Sequence, residues 1–330
     1  MKILIYYPGH VGDTLATLPA FRLIKKNFPD AKLFLLNHYE TAHPLHLELF
    51  RNDDLFSEIH SIGYPDTFLK KLNFYFSFFK ICIRHRYDKI FSFSFSGDLP
   101  KTLLLAAKLL QFKNVITSRY SPCDSVPVHQ VHIDHLLKYG LSPQEGIFDF
   151  PLTQEELASG KNTALDPMIA FGIGGKQEVC RWGVEKYIRL IQKMKERFEF
   201  TPVYLGGGSD RAEAETLIRT CGGIFLQDTG CKTLRETIAL LKYCRCYIGN
   251  DTGSTHLAAA AGLRCAVFYS AHDLPAEKWH PVGTGHLFFR KEIECAGCRK
   301  KICPLYDKAR CLDLIQPEEV LNRLLPWLGL

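Results

Sequence analysis

The sequence predicts an α/β protein made of two doubly wound, Rossmann-like domains. Short apolar strands alternate with helical segments along both halves of the chain. Two of these strands, at residues 2–7 and 168–172, each run into a glycine-containing loop. This alternation indicates parallel sheets that are covered by helices on both faces and bind ligands at the carboxyl ends of their strands.

The first half of the chain contains one series of strands and helices. Pro19 falls within its first helix, or just past the first turn, where a proline inside the helix causes a mild kink. Residues 143–167 are polar and aperiodic and contain several prolines, which indicates a connection between domains. The predicted elements of this half are strands at 2–7, 32–37, 89–96 and 115–117, a helix that follows the loop at 8–13 and runs to about 28, and helices at 101–110 and 128–139.

The second half repeats this alternation, although the chain shows no internal sequence repeat. We therefore divide the chain into a first domain at 1–150, a connection at 151–167 and a second domain at 168–330. The predicted elements of the second domain are strands at 168–172, 201–205, 224–226, 247–248 and 265–269, and helices at about 184–197, 211–220, 233–242, 252–261 and 317–325.

Composition restricts the class of protein. The chain has 330 residues, of which 46% are hydrophobic and 23% charged, and this balance is typical of a soluble globular protein with two cores. No run of eighteen apolar residues predicts a membrane span, and the N-terminal strand is too short for a signal peptide. We therefore expect a cytoplasmic protein whose twelve cysteines are thiols or metal ligands, not disulfides.

Positive charge is concentrated in one segment, residues 70–89, where Lys70, Lys71 and Arg84 lie among phenylalanine and tyrosine residues. Such a mixture is typical of a surface that contacts an anionic acceptor or an anionic lipid headgroup. The alternative is an amphipathic helix that buries its aromatic face and solvates its basic face. No nucleic-acid-binding module accompanies the segment, so we do not expect nucleic acid as a partner.

The stretch from Cys246 to Gly262 predicts a strand, a tight turn and an alanine-rich helix. The turn and the first turn of the helix are polar. A helix N-terminus carries open N–H groups and partial positive charge, so this turn predicts a binding site for a phosphate group. The alternative is a well-capped core helix whose polar residues only satisfy the backbone. The polar and glycine residues that we assign to this site are Asp251, Thr252, Gly253, Ser254 and His256.

Two further loops follow strands of the second domain. Gly174 and Gly175 let the backbone approach a phosphate or a sugar closely, and Lys176 supplies a charge beside them. Arg181 follows a few residues later as a second candidate cation. Asp210 ends a glycine-rich loop, for which the alternative interpretation is an ordinary surface turn.

The first domain has its own polar loop after the first strand. Asp13 lies there between Gly12 and Thr14, at the start of the first helix. A carboxylate in this position can cap the helix, or it can accept a proton from the hydroxyl group of a bound acceptor.

Four cysteines lie within a short basic loop near the C-terminus. Four thiolates at close spacing are typical of a tetrahedral zinc or iron site. The alternatives are four reduced thiols or redox pairing. The residues are Cys295, Cys298, Cys303 and Cys311.

The run Asn-Asp-Thr-Gly-x-x-His-Leu-Ala-Ala-Ala at 250–260 resembles the donor-binding motif of the bacterial heptosyltransferases, glycosyltransferase family nine. The run at 12–20 resembles the N-terminal motif of that family. Further similarities at 172–187, 204–210 and 295–312 extend the resemblance over nearly the whole chain. The resemblance implies the GT-B architecture, with two Rossmann-like domains facing across a cleft.

The resemblance also implies an activity and roles for individual residues. It implies an inverting glycosyltransferase that moves a heptose or related sugar from a nucleotide-sugar, ADP-heptose, to the lipopolysaccharide core or a similar lipid-linked glycan. The first domain would bind the acceptor, with Asp13 as general base, and the second would bind the donor, with Asp210 at the ribose. The family has a lysine where this chain has Cys180, and Lys176 or Arg181 is then expected to supply the charge.

The resemblance also has implications for cofactors, for location and for alternative functions. Transfer needs no cofactor in this family, whereas cysteine patterns like the present one bind iron in a related group of autotransporter heptosyltransferases. A lipid-linked acceptor further implies peripheral contact with the inner membrane. The alternatives are a degenerate sugar-nucleotide-binding protein, a GT-B transferase with another sugar and a non-lipid acceptor, and a GT-B epimerase or phosphorylase.

Overall fold

A computed structural model gives the structure of the chain at residues 1–39, 45–63, 68–94, 114–120, 126–164, 167–229, 233–273, 275–306 and 308–330. The chain divides into two compact units, Met1–Pro151 and Leu152–Leu330. The predicted helix at 101–110 lies outside the described residues. No helix in the part of the chain that the structure describes is long and apolar enough to cross a membrane.

Unit 1 is built on a parallel sheet with the strand order β3-β2-β1-β4-β5. This is the order of a doubly wound sheet, and it reverses between β1 and β4. The strands are β1 (Lys2–Tyr7), β2 (Lys32–Tyr39), β3 (Glu58–Gly63), β4 (Lys89–Ser94) and β5 (Val115–Arg119), and the helices are α1 (Val11–Asn27), α2 (Leu45–Leu49), α3 (Phe68–His85) and α4 (Val128–Lys138).

The core of unit 1 forms where the apolar strands meet helices. In β1 every residue after Lys2 is buried, as expected for a central strand covered on both faces. Phe21 of α1 lies edge-on to both Tyr7 and Phe93, with ring centroids 5.4 Å apart in each pair. Pro19 lies inside α1 and is buried, as its position in the sequence predicted.

Unit 2 contains a second parallel sheet, with the strand order β11-β10-β9-β6-β7-β8. Read from β8, this is the same doubly wound order as in unit 1, and it reverses between β6 and β9. The strands are β6 (Met168–Gly172), β7 (Thr201–Leu205), β8 (Ile224–Phe225), β9 (Cys244–Asn250), β10 (Cys265–Phe268) and β11 (Leu287–Phe289), and the helices are α5 (Gln154–Thr163), α6 (Val184–Lys195), α7 (Arg211–Cys221), α8 (Leu234–Leu241), α9 (Gly253–Ala260), α10 (Arg310–Asp313) and α11 (Pro317–Leu328).

Aromatic rings fill the core of unit 2. Trp182 stacks on Phe268 with centroids 4.2 Å apart, and Tyr187 lies edge-on to Trp182 at 5.0 Å. All three side chains are buried. Helix α9 ends where the sequence indicated, because Gly262 adopts a left-handed conformation with φ +83°.

The predicted connection contains a helix that the aperiodic sequence did not reveal. Helix α5 begins with a capping box in which Thr153 accepts from the Glu156 N–H and Glu156 accepts from the Thr153 N–H. Glu156 also pairs with Arg235 of α8, whose side chain is 3% exposed. Within unit 2, a buried charge pair therefore joins α5 to α8.

Candidate active site

The loop after β1 carries the predicted catalytic base. Asp13 is the third residue of α1, and its Oδ2 accepts a 2.8 Å hydrogen bond from the backbone N–H of His10, the N-cap residue. This carboxylate therefore satisfies a backbone donor next to the helix start, as in a capping box. The capping role that the sequence offered beside catalysis is present. Asp13 is only half-buried, which leaves part of its side chain accessible to solvent.

The neighbours of Asp13 differ in accessibility. Gly12 is half-buried, whereas Thr14 is buried and donates its hydroxyl hydrogen to the His10 carbonyl at 2.8 Å. Burial and the negative charge of Asp13 together raise the pKa of Tyr7, at the end of β1, well above its ordinary value. The Thr14 hydroxyl is thus bonded to its own helix, and its assignment to acceptor binding stays a prediction.

In unit 2, the side chain of Asn250 joins the carboxyl ends of β6 and β9, where the strand order reverses. Its Nδ2 donates to the carbonyl oxygens of Ile173 and Gly174, each at 3.0 Å. Its Oδ1 accepts from the Trp182 N–H at 3.0 Å and from the Tyr187 hydroxyl at 3.2 Å. Asn250 is completely buried, and these four bonds hold the loop after β6 against β9.

A group of hydroxyls lies in the turn between β9 and α9. Ser254 Oγ lies 2.9 Å from the Tyr247 hydroxyl and 2.7 Å from Thr252 Oγ1. Thr255 donates to the Asn250 carbonyl at 2.7 Å. Thr252 is the N-cap of α9, yet its side chain makes no capping bond. These hydroxyls order the turn, so an anion at this site would be bound chiefly by the N–H groups of the first helical turn.

The remaining predicted residues of this turn differ in exposure. Asp251 is half-buried, Gly253 is exposed and His256 is 6% exposed. The His256 ring lies edge-on to Trp279 with centroids 6.4 Å apart. The rim of the turn is therefore accessible at Gly253, and His256 packs into its wall.

The glycine-rich loops after β6 and β7 are in contact through Asp210. Its side chain is 5% exposed, and its carboxylate accepts from the Gly207 N–H at 2.6 Å. A Cβ atom added to Gly174 would lie 2.5 Å from Asp210 Oδ2, and one added to Gly206 would lie 2.8 Å from Asp210 Cβ. Glycine is therefore required at both positions for the loops to approach the carboxylate.

Arg181 connects the same loops. Its guanidinium donates to Asp210 at 2.6 Å, to Glu213 at 3.1 Å and to the Gly175 carbonyl at 3.0 Å. Burial raises the pKa of Glu213, and the nearby Arg181 partly offsets this rise. Lys176 is exposed beside the loop. Arg181 is thus bound to two carboxylates, and Lys176 is the predicted donor cation on the surface.

Cys180 lies in a half-buried group of polar side chains. Its sulfur lies 4.0 Å from both ring nitrogens of His272, and His272 is hydrogen-bonded to Ser270. Burial first, and the charge of Asp251 second, raise the pKa of Cys180 to about 12. Cys180 is therefore a neutral thiol at physiological pH and does not replace the charge of the lysine that the family has at this position.

The four C-terminal cysteines line one small cavity. The cavity has a volume of about 30 Å³ and is also lined by His272 and Val179. Backbone N–H groups, first among them that of Leu305, lower the pKa of Cys303, whereas burial raises that of Cys311. Among the described residues, three side chains of unit 1 have metal-ligand atoms within 4.8 Å of one another. No such group of three is found in the described part of the cysteine loop. The loop therefore gathers the sulfurs without closing them into a tetrahedron.

Helix α3 buries one face and exposes another. Phe74, Phe78 and Cys82 are buried, whereas Phe76 is 77% exposed and Ile83 is 61% exposed. The amphipathic helix that the sequence offered as an alternative is therefore present. Its exposed residues also include Lys80 and Arg84. The side chains of Lys70 and Lys71 lie outside the described residues.

Sequence reasoning missed the residues that position the site. The sequence indicates Asn250 only as part of the motif at 250–260 and Tyr247 only as part of a strand, and it singles out no role for Tyr187. A polar residue at the end of a central strand is a signal, because it needs internal hydrogen-bond partners once buried. A glycine that faces an aromatic residue is a second signal. A Cβ atom on Gly172 would overlap the Tyr247 ring, so glycine is needed there.

The chain is similar to known proteins in both sequence and fold. The chain is 24% identical to lipooligosaccharide heptosyltransferase 2 of Campylobacter jejuni over an alignment that is 343 positions long. The alignment covers 98% of this chain and 97% of that protein. The structure of E. coli ADP-heptose lps heptosyltransferase II matches with a TM-score of 0.70 at 16% identity, over 100% of this chain and 99% of the other. The iron-containing dodecameric glycosyltransferase TibC of enterotoxigenic E. coli matches with a TM-score of 0.55 at 13% identity, over 99% and 76%.

Two doubly wound parallel sheets, with a glycine-containing loop at the point where each strand order reverses, define a protein of the GT-B class. The family model "Glycosyltransferase family 9 (heptosyltransferase)" matches residues 133–309, which is more than half of the chain. The chain belongs to glycosyltransferase family 9. The resemblance and the fold class that the sequence predicted are both confirmed.

Proposed function

We propose that this chain is an inverting glycosyltransferase that moves a heptose from ADP-heptose to the lipopolysaccharide core. Membership of the family and the similarity along the whole chain to a lipooligosaccharide heptosyltransferase support this. The observation that carries it is the contact between loops in unit 2. Asn250 bonds to the Gly174 carbonyl at 3.0 Å, so two segments that separately predicted donor binding are adjacent, which supports a common donor site.

Unit 2 is proposed to bind the nucleotide-sugar. The N–H groups at the start of α9, near Gly253, would donate to the diphosphate and stabilise the negative charge that develops as it leaves. Lys176 is the exposed cation beside the loop after β6. Asp210 would hold the nucleotide loop in shape through its bond to the Gly207 N–H.

Unit 1 is proposed to bind the acceptor and to activate it. A sugar hydroxyl is a poor nucleophile at neutral pH, so transfer needs a base within hydrogen-bonding reach. Asp13 would accept the proton of the acceptor hydroxyl as that oxygen attacks the anomeric carbon. The bond from the His10 N–H would hold the carboxylate in one orientation during this step.

Helix α3 is proposed to contact the lipid part of the acceptor or the membrane surface that carries it. Phe76 and Ile83 are exposed apolar side chains, and Lys80 and Arg84 are exposed cations on the same helix. An apolar patch with basic neighbours is typical of a peripheral contact with anionic lipids. The protein would then work in the cytoplasm at the inner membrane.

The four cysteines are proposed to bind one structural zinc or iron. The four residues line a single cavity of about 30 Å³, and a structural neighbour is iron-containing. Four thiolates suit either metal, provided that the loop closes by a small movement. The metal would stabilise the loop and take no part in transfer.

The decisive experiment combines calorimetry with a turnover assay. Purified protein should bind ADP-heptose and transfer heptose to a heptose-deficient core acceptor with inversion at the anomeric carbon. Binding of ADP-heptose without turnover would instead favour a degenerate sugar-nucleotide-binding protein, for which the neutral thiol of Cys180 is the motivating observation. Turnover of UDP-sugars alone would contradict the proposed donor.

A further inference from the structure

A second group of polar side chains lies in unit 1, apart from the loop after β1. Glu58 and His60 are two residues apart at the start of β3, so they project from the same face of the strand. His85 is the last residue of α3. One ligand atom from each of the three residues lies within 4.8 Å of those of the other two.

The sheet geometry places this group far from the catalytic loop. Glu58 begins β3, and in the parallel pairing with β2 it lies opposite Phe34. The group is therefore at the amino end of the strands, whereas Asp13 follows the carboxyl end of β1. A ligand of this group is not the donor or the acceptor of the proposed reaction.

Distances within the group are too long for hydrogen bonds. Glu58 Oε1 lies 3.6 Å from His60 Nδ1, and Glu58 Oε2 lies 3.7 Å from His85 Nε2. A direct N–H···O bond would be roughly 2.7–3.2 Å long. Two ligands of one tetrahedral zinc ion are about 3.3–3.5 Å apart, since each Zn–N or Zn–O bond is about 2.0–2.1 Å. The observed separations are close to that spacing.

Both imidazoles have a buried nitrogen that the surrounding protein does not satisfy. In the part of the chain that the structure describes, Nε2 of His60 and Nε2 of His85 have no hydrogen-bond partner. The side chains are 13% and 11% exposed, so bulk water does not fully replace the missing bonds. In His85 this nitrogen is the one that faces the Glu58 carboxylate, whereas in His60 the nitrogen that faces Glu58 is Nδ1. A buried unsatisfied nitrogen beside a carboxylate, as in His85, is the arrangement that a bound ion or an ordered water would explain.

Aromatic packing orients the two rings. The His60 ring is parallel to Phe34 at a centroid distance of 6.3 Å, and the His85 ring stacks on Tyr87 at 5.7 Å. The His60 and His85 rings are 5.2 Å apart. These contacts fix both imidazoles before any ligand is present, which reduces the entropy that a ligand would have to overcome.

We propose that Glu58, His60 and His85 bind a Zn²⁺ ion that ties the start of β3 to the end of α3. Two neutral imidazoles and one carboxylate are a common zinc ligand set, and water would complete the tetrahedron. Lys2 and Arg84 place positive charge nearby: the Lys2 ammonium donates to the His85 carbonyl, and the charge of Arg84 acts on His60. These positive charges oppose the binding of a cation, so we expect a weaker site than the same ligands would form without them.

The test uses the full-length protein after chelator treatment. Zinc bound per chain is measured by equilibrium dialysis and elemental analysis for the parent, Glu58→Gln and His85→Gln. We expect each variant to bind one zinc fewer than the parent, or to bind it at least about 100-fold more weakly. Loss of a residue that only contacts a ligand would weaken binding by roughly 10- to 100-fold. We also expect zinc to raise the melting temperature of the parent more than that of either variant.

Cobalt substitution distinguishes this site from a metal site in the cysteine loop. A cobalt ion bound by thiolates shows charge-transfer absorption, whereas one bound by nitrogen and oxygen does not. His85→Gln should remove the cobalt signal of the nitrogen and oxygen site and leave the thiolate absorption unchanged. His135→Gln and Glu185→Gln, which change a histidine and a glutamate elsewhere, should retain the zinc of the parent.

Equal zinc binding by the parent and both variants would overturn the proposal. So would a parent that shows no metal signal other than that of thiolates. Should His85→Gln fail to fold, Glu58→Gln decides alone, because the Glu58 side chain is 41% exposed and keeps its shape in that change.

Discussion

The guanidinium of Arg181 donates to the buried carboxylate of Asp210 at a distance of 2.6 Å. The sequence assigned both residues to the donor, one as a phosphate cation and the other as a ribose acceptor. In the structure each neutralises the other, and a second carboxylate, that of Glu213, shares the same guanidinium. Arg181 therefore acts first as the side chain that holds the loops after β6 and β7 together.

Loss of the guanidinium should destabilise unit 2. In Arg181→Gln the Asp210 carboxylate stays buried without its ion pair, and removal of one partner of a buried pair costs about 3–5 kcal/mol. The free energy of unfolding from urea titration measures this. The matched control is Arg211→Gln, because the Arg211 pair with Asp228 is on the surface and should leave the melting curve unchanged. Equal effects of the two changes would contradict the role of Arg181.

Asn250→Asp tests the side chain that joins β6 and β9. The change keeps the shape but removes the two N–H donors to the Ile173 and Gly174 carbonyls and places oxygen beside oxygen. We expect a loss of about 2–4 kcal/mol, since each buried acceptor left unsatisfied costs about 1–3 kcal/mol. Donor affinity should also fall, because the loop after β6 is released.

The control for this change is Asn27→Asp. Asn27 also donates to two carbonyls, those of Leu23 and Ser142, but in a more accessible position. Its substitution should cost less and leave calorimetric donor affinity unchanged. A donor affinity equal to that of the parent in Asn250→Asp would show that the loop does not depend on the amide.

A methyl group on Gly172 should disturb the same strand ends. Its Cβ would overlap the ring and hydroxyl of Tyr247, both of which are fully buried. Overpacking of this kind typically costs about 1–3 kcal/mol. Thermal melting of Gly172→Ala is compared with that of Gly208→Ala, where nothing lies within 4 Å of the added atom. Similar melting temperatures for the two variants would refute the predicted clash.

Histidine 132 should make unit 1 sensitive to acid. Burial lowers the pKa of His132 from 6.5 to about 3, and His135 and His129 add to this shift. In the unfolded chain, His132 takes up a proton as the pH falls below about 6.5. In the folded chain, its pKa of about 3 keeps the ring neutral until the pH is much lower. Stability is therefore fully present above pH 6.5 and is lost as the pH falls toward 3, by at most about 1.4 kcal/mol per pH unit.

Urea unfolding between pH 7 and 4 measures this slope. The His132→Gln variant should lose stability less steeply than the parent, whatever its stability at neutral pH. His135→Gln removes one of the groups that lower the pKa of His132, so it should narrow the pH range of the loss without abolishing it. Parallel pH profiles for the parent and His132→Gln would show that another group controls the acid response.

Asp13→Asn tests the proposed general base. The asparagine oxygen can still accept from the His10 N–H, so the cap is kept and the melting temperature should stay close to that of the parent. The turnover number should fall about 10²- to 10⁴-fold, since basicity is lost. Donor affinity, measured by calorimetry, should not change.

Asp134→Asn is the control for this substitution, because Asp134 accepts a side-chain bond from Gln130 on the same unit. It should leave the turnover number unchanged. A variant of Asp13 that melts much lower, yet has near-parental turnover when assayed cold, would make Asp13 a helix cap and place the base elsewhere.

Local patterns were sufficient to predict the fold class. The strand at 168–172, the helix at 211–220 and the stop at Gly262 depend on apolar periodicity, glycine conformation and neighbours in sequence, and all appear in the structure. The strand at 58–63 and the helix at 154–163 were missed. Both contain polar residues whose partners are distant in sequence, such as Arg235 for Glu156.

Which loops carry glycine, charge and hydroxyl groups, and in what order, can be read from the amino-acid sequence. How those groups pair is visible only in the folded chain. Arg181 and Asp210 are 29 residues apart and Asn250 and Ile173 are 77 apart, and neither pairing is visible from a local pattern. The physical reason is that periodicity and capping act over a few residues, whereas burial forces each polar group to find a partner wherever the sheet order brings one.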